Sequence, residues 1–134
     1  MPSIRRYLRH LWLSFTLLPG LASAHALEIH GSNTIGATLA PMLMTGFLQQ
    51  LTGNPVTARP TGTANETVLA TSYNGKPMTV LVAAHGTSTG FSALAADHAD
   101  IWAASRRVKG SEREAMTSRA DMTSRDSEHV IAID

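Results

Sequence analysis

The chain has 134 residues, 11 Lys+Arg against 10 Asp+Glu, 43% hydrophobic residues and no cysteine. That length predicts one domain. The near-neutral charge argues against a basic groove tracking a nucleic-acid backbone, and the missing cysteines exclude disulfides, thiolate catalysis and cysteine-ligated zinc.

The first elements are those of a leader. Arg5, Arg6 and Arg9 form a positive start, Leu11 to Leu18 is nearly all apolar, and Pro19-Gly20 breaks the run. Ala22-Ser23-Ala24 and Ala24-His25-Ala26 are two candidate cleavage sites of the small-x-small kind. This pattern predicts a Sec-type signal peptide over 1–26 and a secreted mature chain over 27–134. The apolar run is shorter than the roughly 20 residues that span a bilayer, so no stable membrane insertion is expected after cleavage. An uncleaved membrane anchor is the alternative, and Arg5-Arg6 reads as ordinary leader charge rather than a twin-arginine signal. Without the leader, eight basic residues face ten acidic ones, a net charge of −2.

In the mature chain, Leu27-Glu28-Ile29-His30 alternates as a strand does. Gly31-Ser32-Asn33-Thr34 then supplies turn and cap residues. Ile35, Leu39, Leu43, Phe47 and Leu51 follow at a spacing of four, with Met42, Met44 and Leu48 beside them, which predicts a helix packing that face. Pro41 requires either a regular helix beginning near 38–40 or a kinked first turn. Gly53-Asn54-Pro55 ends the helix.

A short strand over 56–59 and a loop at 60–63 precede a hairpin, 67–73 and 78–84, turned by Asn74-Gly75. The run 79–84 has the composition of a central strand buried on both faces. After 85–90 come a helix over 91–97, a strand over 101–104 and a helix from 112 to about 119. Ser111 and Glu114 form a capping-box pattern at the start of that helix. Val130 to Ile133 reads as a last strand. The order β-α-β-β-β-α-β-α-β predicts an α/β layer fold with a partly parallel sheet.

Two strand-to-helix turns are rich in glycine and hydroxyls: Gly31-Ser32-Asn33-Thr34 and Gly86-Thr87-Ser88-Thr89-Gly90. Helix N-termini expose unpaired N–H groups with partial positive charge, and Ser and Thr add short donors. Two such turns at adjacent strand ends make a cradle for a tetrahedral oxyanion. Plain helix capping is the simpler use of the same residues.

The second turn also spells G-x-S-x-G with Ser88 central, followed by Asp100, Asp121 or Asp126 and then His129, so a small serine hydrolase is the alternative. Against it stand the short chain and the lack of an obvious second oxyanion-hole loop. His30, His85, His98 and His129 lack metal-ligand spacing, and no cofactor is expected. Arg106-Arg107 with Lys109 reads as a solvated basic turn, from which Arg106 can reach an anion held by the neighbouring loops.

GSNTIG at 31–36, HGTSTGFSAL at 85–94, ADIWAASRRVKGSE at 99–112 and SEHVIAID at 127–134 resemble the N-terminal lobe of periplasmic phosphate-binding proteins, the receptors of ABC phosphate transporters. The resemblance covers almost all of 27–134. It implies part of a type II periplasmic-binding-protein fold, a mixed sheet flanked by helices, which works without catalysis. It implies inorganic phosphate or a similar oxyanion as ligand and an ABC transporter permease as partner. It assigns anion contacts to Ser32, Asn33 and Thr34, to Thr87, Ser88 and Thr89, and to Ser105 and Arg106. Some phosphate binders place an aspartate after that serine to accept the proton of hydrogen phosphate. Arg106 stands there in this chain. The family also closes a second lobe over the ligand, so 27–134 is expected to be a truncated N-terminal part.

Overall fold

The computed structural model describes residues 26–131. The expected leader, except Ala26, and Ala132–Asp134 lie outside the described residues. The fold is α/β: a mixed five-stranded sheet in the order β2-β3-β4-β1-β5, flanked by three helices. The strands are β1 (Leu27–Gly31), β2 (Thr57–Pro60), β3 (Glu66–Tyr73), β4 (Lys76–Ala83) and β5 (Ile101–Ala103). The helices are α1 (Ala40–Thr52), α2 (Thr87–Ala95) and α3 (Gly110–Met116).

The hairpin forms as its sequence predicts. Asn74 and Gly75 both take positive φ, 50° and 76°, as a type I′ turn requires. β3 and β4 pair antiparallel from Glu66↔Ala83 to Tyr73↔Lys76. β4 is the central strand, with Val80, Val82 and Ala83 buried. On its other side it runs parallel to β1, which in turn runs parallel to β5. The carboxyl ends of β4, β1 and β5 therefore lie side by side.

Pro41 is the second residue of the regular helix α1, which begins at Ala40 but continues a helical run from Asn33, so the proline is taken up by an irregular start to the helix. A π-helical turn, Ile35–Leu39, precedes it and joins it through the bond from Ala40 N–H to the Ile35 carbonyl. Gly53, at φ 68°, caps the other end.

The face of α1 that enters the core is not the expected one. Leu48 and Ala40 are buried, and Met44 packs against the same cluster with Ile29, Leu69, Val80 and Val82. Leu39, Leu43, Phe47 and Leu51 lie outside, 38–54% exposed. Both sets recur every four residues, so periodicity alone does not choose between them; the smaller Ala40 lets α1 approach the sheet.

Three further expectations are corrected. α2 starts at Thr87 rather than 91, because Gly86 at φ 111° and ψ 151° turns the chain straight into a helix. Few residues other than glycine adopt that conformation. α3 spans Gly110–Met116 and is capped by Glu112, whose carboxylate accepts the Lys109 N–H at 2.8 Å, not by Ser111 and Glu114. Val130 and Ile131 form no strand and are 65% and 63% exposed. Both sides of β1 are already occupied, and the free edge of the three-residue β5 offers too few bonds to offset the ordering of another strand.

Candidate functional site

The carboxyl ends of β1, β4 and β5 deliver three short segments to one edge of the sheet. Backbone bonds hold them together: Gly86 N–H to the Gly31 carbonyl at 2.8 Å, and Ser32 N–H to the Ala103 carbonyl at 2.7 Å. Glycine makes the approach possible. A Cβ on Gly90 would stand 2.5 Å from Gly31 Cα and 2.7 Å from the His30 carbonyl oxygen. A Cβ on Gly31 would collide with the Ala103 carbonyl. The first turn of α2 is thus pressed against the end of β1.

Within this edge the structure brings Thr87, Ser88, Ser105 and Arg106 together. Thr87 Oγ1 and Ser105 Oγ are 3.1 Å apart, and Ser105 N–H donates to Thr87 Oγ1 at 3.4 Å. Arg106 Nη2 donates to Ser88 Oγ at 3.4 Å. The first bond inside α2 runs from Gly90 N–H to the Gly86 carbonyl. The N–H groups of Thr87, Ser88 and Thr89 precede it and have no acceptor within the helix. Ser88 and Thr89 are exposed, and Thr87 is half-buried.

The first turn contributes differently. Ser32 is only 3% exposed, and its Oγ accepts the Thr34 N–H at 3.1 Å. It shapes the turn from beneath, while Asn33 and Thr34 stand exposed above it. Neither Asn33 nor Thr89 has a side-chain hydrogen bond among the described residues, so both are open to a ligand.

Arg106 is held rather than free. Its guanidinium makes a two-pronged contact with Glu112, Nη1 to Oε2 at 2.8 Å and Nη2 to Oε1 at 2.6 Å. This hydrogen bonding pulls the Glu112 carboxyl down to about 2 against the opposing effect of burial, and it also raises the pKa of Arg106. The guanidinium lies 5.6 Å from the centre of the Trp102 ring. Trp102 also donates from Nε1 to the Thr87 carbonyl at 2.7 Å and meets Phe91 edge-on at 5.5 Å.

Glu112 and Trp102 are the residues that sequence reasoning misses. Arg106 lies in an irregular segment and Glu112 in α3, so no single helical or strand period links them. Trp102 signals itself only as one of the few aromatic residues after position 26.

No hydrogen bond joins Ser88 Oγ to a histidine or a carboxylate among the described residues. Its hydroxyl partner is Arg106, a permanent cation that donates but takes no proton. Asp100 lies at the far end of β5, where its carboxylate accepts the Glu28 N–H at 2.7 Å. His85 Nε2 lies 3.4 Å from Glu66 and 3.2 Å from the Ala64 carbonyl, and His30 pairs with Glu28 at 3.3 Å. No group of three or more His, Cys, Asp or Glu residues that could hold a metal ion occurs among the described residues. None of the described helices is long and apolar enough to cross a membrane.

No family model, curated protein or solved structure matches this chain.

Proposed function

We propose that the chain is the oxyanion-binding lobe of a periplasmic receptor of the phosphate-uptake type, acting by binding and without catalysis. The observation that carries this reading is the convergence of the β1, β4 and β5 ends. It sets the open N–H groups of Thr87, Ser88 and Thr89 beside the hydroxyls of Thr87, Ser88 and Ser105. Ligands of open α/β sheets sit outside the carboxyl ends of parallel strands, and the N-terminus of a helix favours an anion.

In this reading, Thr87, Ser88 and Thr89 donate to the anion, with Asn33 and Thr34 closing one side. Ser32 and Ser105 position the turns, and Arg106 supplies a donor edge to Ser88 while Glu112 balances its charge. The cradle is therefore close to neutral and selects by hydrogen-bond direction. Arg106 cannot accept the proton of hydrogen phosphate, so phosphate and sulfate bind within about tenfold of each other. Ser88, Thr89, Asn33 and Thr34 face solvent. An anion held there keeps much of its hydration, and affinity is about millimolar at best. An opposing lobe would raise it, and an ABC permease is the partner such a receptor serves.

Titration at constant ionic strength tests this reading. Trp102 is the one tryptophan between residues 27 and 134, and it bonds the Thr87 carbonyl, so its fluorescence reports on the cradle. The expected result is a saturable change with phosphate and with sulfate, but not with chloride, at millimolar concentrations. No saturable response to either anion up to about 50 mM, with the protein folded, contradicts the proposal.

A further inference from the structure

α1 carries an apolar face that nothing in the described fold covers. Met42 is 66% exposed, Leu43 51%, Phe47 54% and Leu51 45%. With Leu39 they leave roughly 500 Å² of side-chain surface open, taking a large apolar side chain as about 200 Å². That is at the upper end of the patches monomers expose. The surroundings are uncharged. From Gly31 to Ala58 there are 28 consecutive residues without Asp, Glu, Lys, Arg or His. A charged partner finds no counter-charge here. A membrane-surface helix needs Lys or Arg on its polar face, and α1 has neither.

We propose that this face binds a second copy of the chain, with the two α1 helices antiparallel across a two-fold axis at the level of Thr45. The pattern is self-complementary about the middle of α1. Leu43 of each copy meets Phe47 of the other, and Leu39 meets Leu51. Such an isologous contact closes after two copies. With its rim it buries about 1,000–1,200 Å² in total, the low end for specific interfaces, so the dimer is weak and depends on concentration. The proposal stands apart from the oxyanion reading, because none of these residues belongs to the cradle.

Sedimentation of the full chain from about 1 to 500 µM tests it. The expected result is a monomer mass that rises to twice the monomer value and stops there. Phe47→Glu raises Kd about 100-fold and leaves the monomer melting temperature within a few degrees, since Phe47 is half-exposed. Adding Leu43→Lys to Phe47→Glu recovers only part of the lost affinity, in a salt-sensitive form, because each Lys then faces a Glu across the axis. The proposal is overturned if the mass stays monomeric throughout, if association runs past the dimer, or if Phe47→Glu leaves the dimer unchanged.

Discussion

Five residues determine how the candidate site works. Arg106 is spanned by Glu112 and stacked near Trp102, while Trp102 and Ser105 both hold Thr87. The Glu112 carboxyl is held near 2 in the folded chain, against an ordinary value of 4.5. The folded state therefore binds fewer protons than the unfolded state in this range. Stability from the pair is complete above about pH 4.5 and is lost as pH falls toward 2. Melting curves of the wild type and Glu112→Gln should show the variant less stable at pH 6, with the two converging near pH 2. At Thr87, replacement by Val keeps the shape and removes the hydroxyl that faces Ser105. Phosphate affinity should fall about five- to tenfold with little change in melting temperature, the worth of one hydrogen bond. This group of residues is hard to read from sequence. Glycine and hydroxyl content marks the turns, but the Arg106–Glu112 and Trp102–Thr87 contacts join residues that no single helical or strand period links.

Among the elements, α1 shows where sequence reading reaches its limit. The helix carries one apolar set at 40, 44 and 48 and another at 39, 43, 47 and 51, and either could face a core. Only the sheet decides between them, by presenting Ile29, Leu69, Val80 and Val82 to the first set. Leu48→Ala should cost about 3 kcal/mol in chemical denaturation, and Leu43→Ala less than about 1 kcal/mol at low protein concentration. The hairpin and the central strand are legible because Asn-Gly and an unbroken apolar run each permit few conformations. The start of α2 is less so. Gly86 through Gly90 has the composition of a loop, yet one positive-φ glycine makes it the first turn of a helix. The price of that arrangement is intolerance at Gly90. Gly90→Ala drives a Cβ into the backbone of β1 and should destabilise the fold by about 3 kcal/mol.

For the molecule as a whole, the α/β class is legible because strands and helices alternate, and the mixed sheet follows from two antiparallel connections, β2–β3 and β3–β4, combined with two crossovers. The sequence order leaves open which strand ends meet. That depends on β1 being inserted between β4 and β5, a non-local pairing no local pattern encodes. The insertion gives the three turns a common edge. Oxyanion binding requires that edge to act as a single cradle. Amide chemical shifts recorded during a phosphate titration, with sodium chloride balancing ionic strength, test this most directly. The predicted result is one saturable set of shifts at 33–34, 87–89 and 105–106, together with the Trp102 indole N–H, all following the same millimolar curve. Shifts spread across the surface without saturation, or confined to residues away from these three turns, would contradict it.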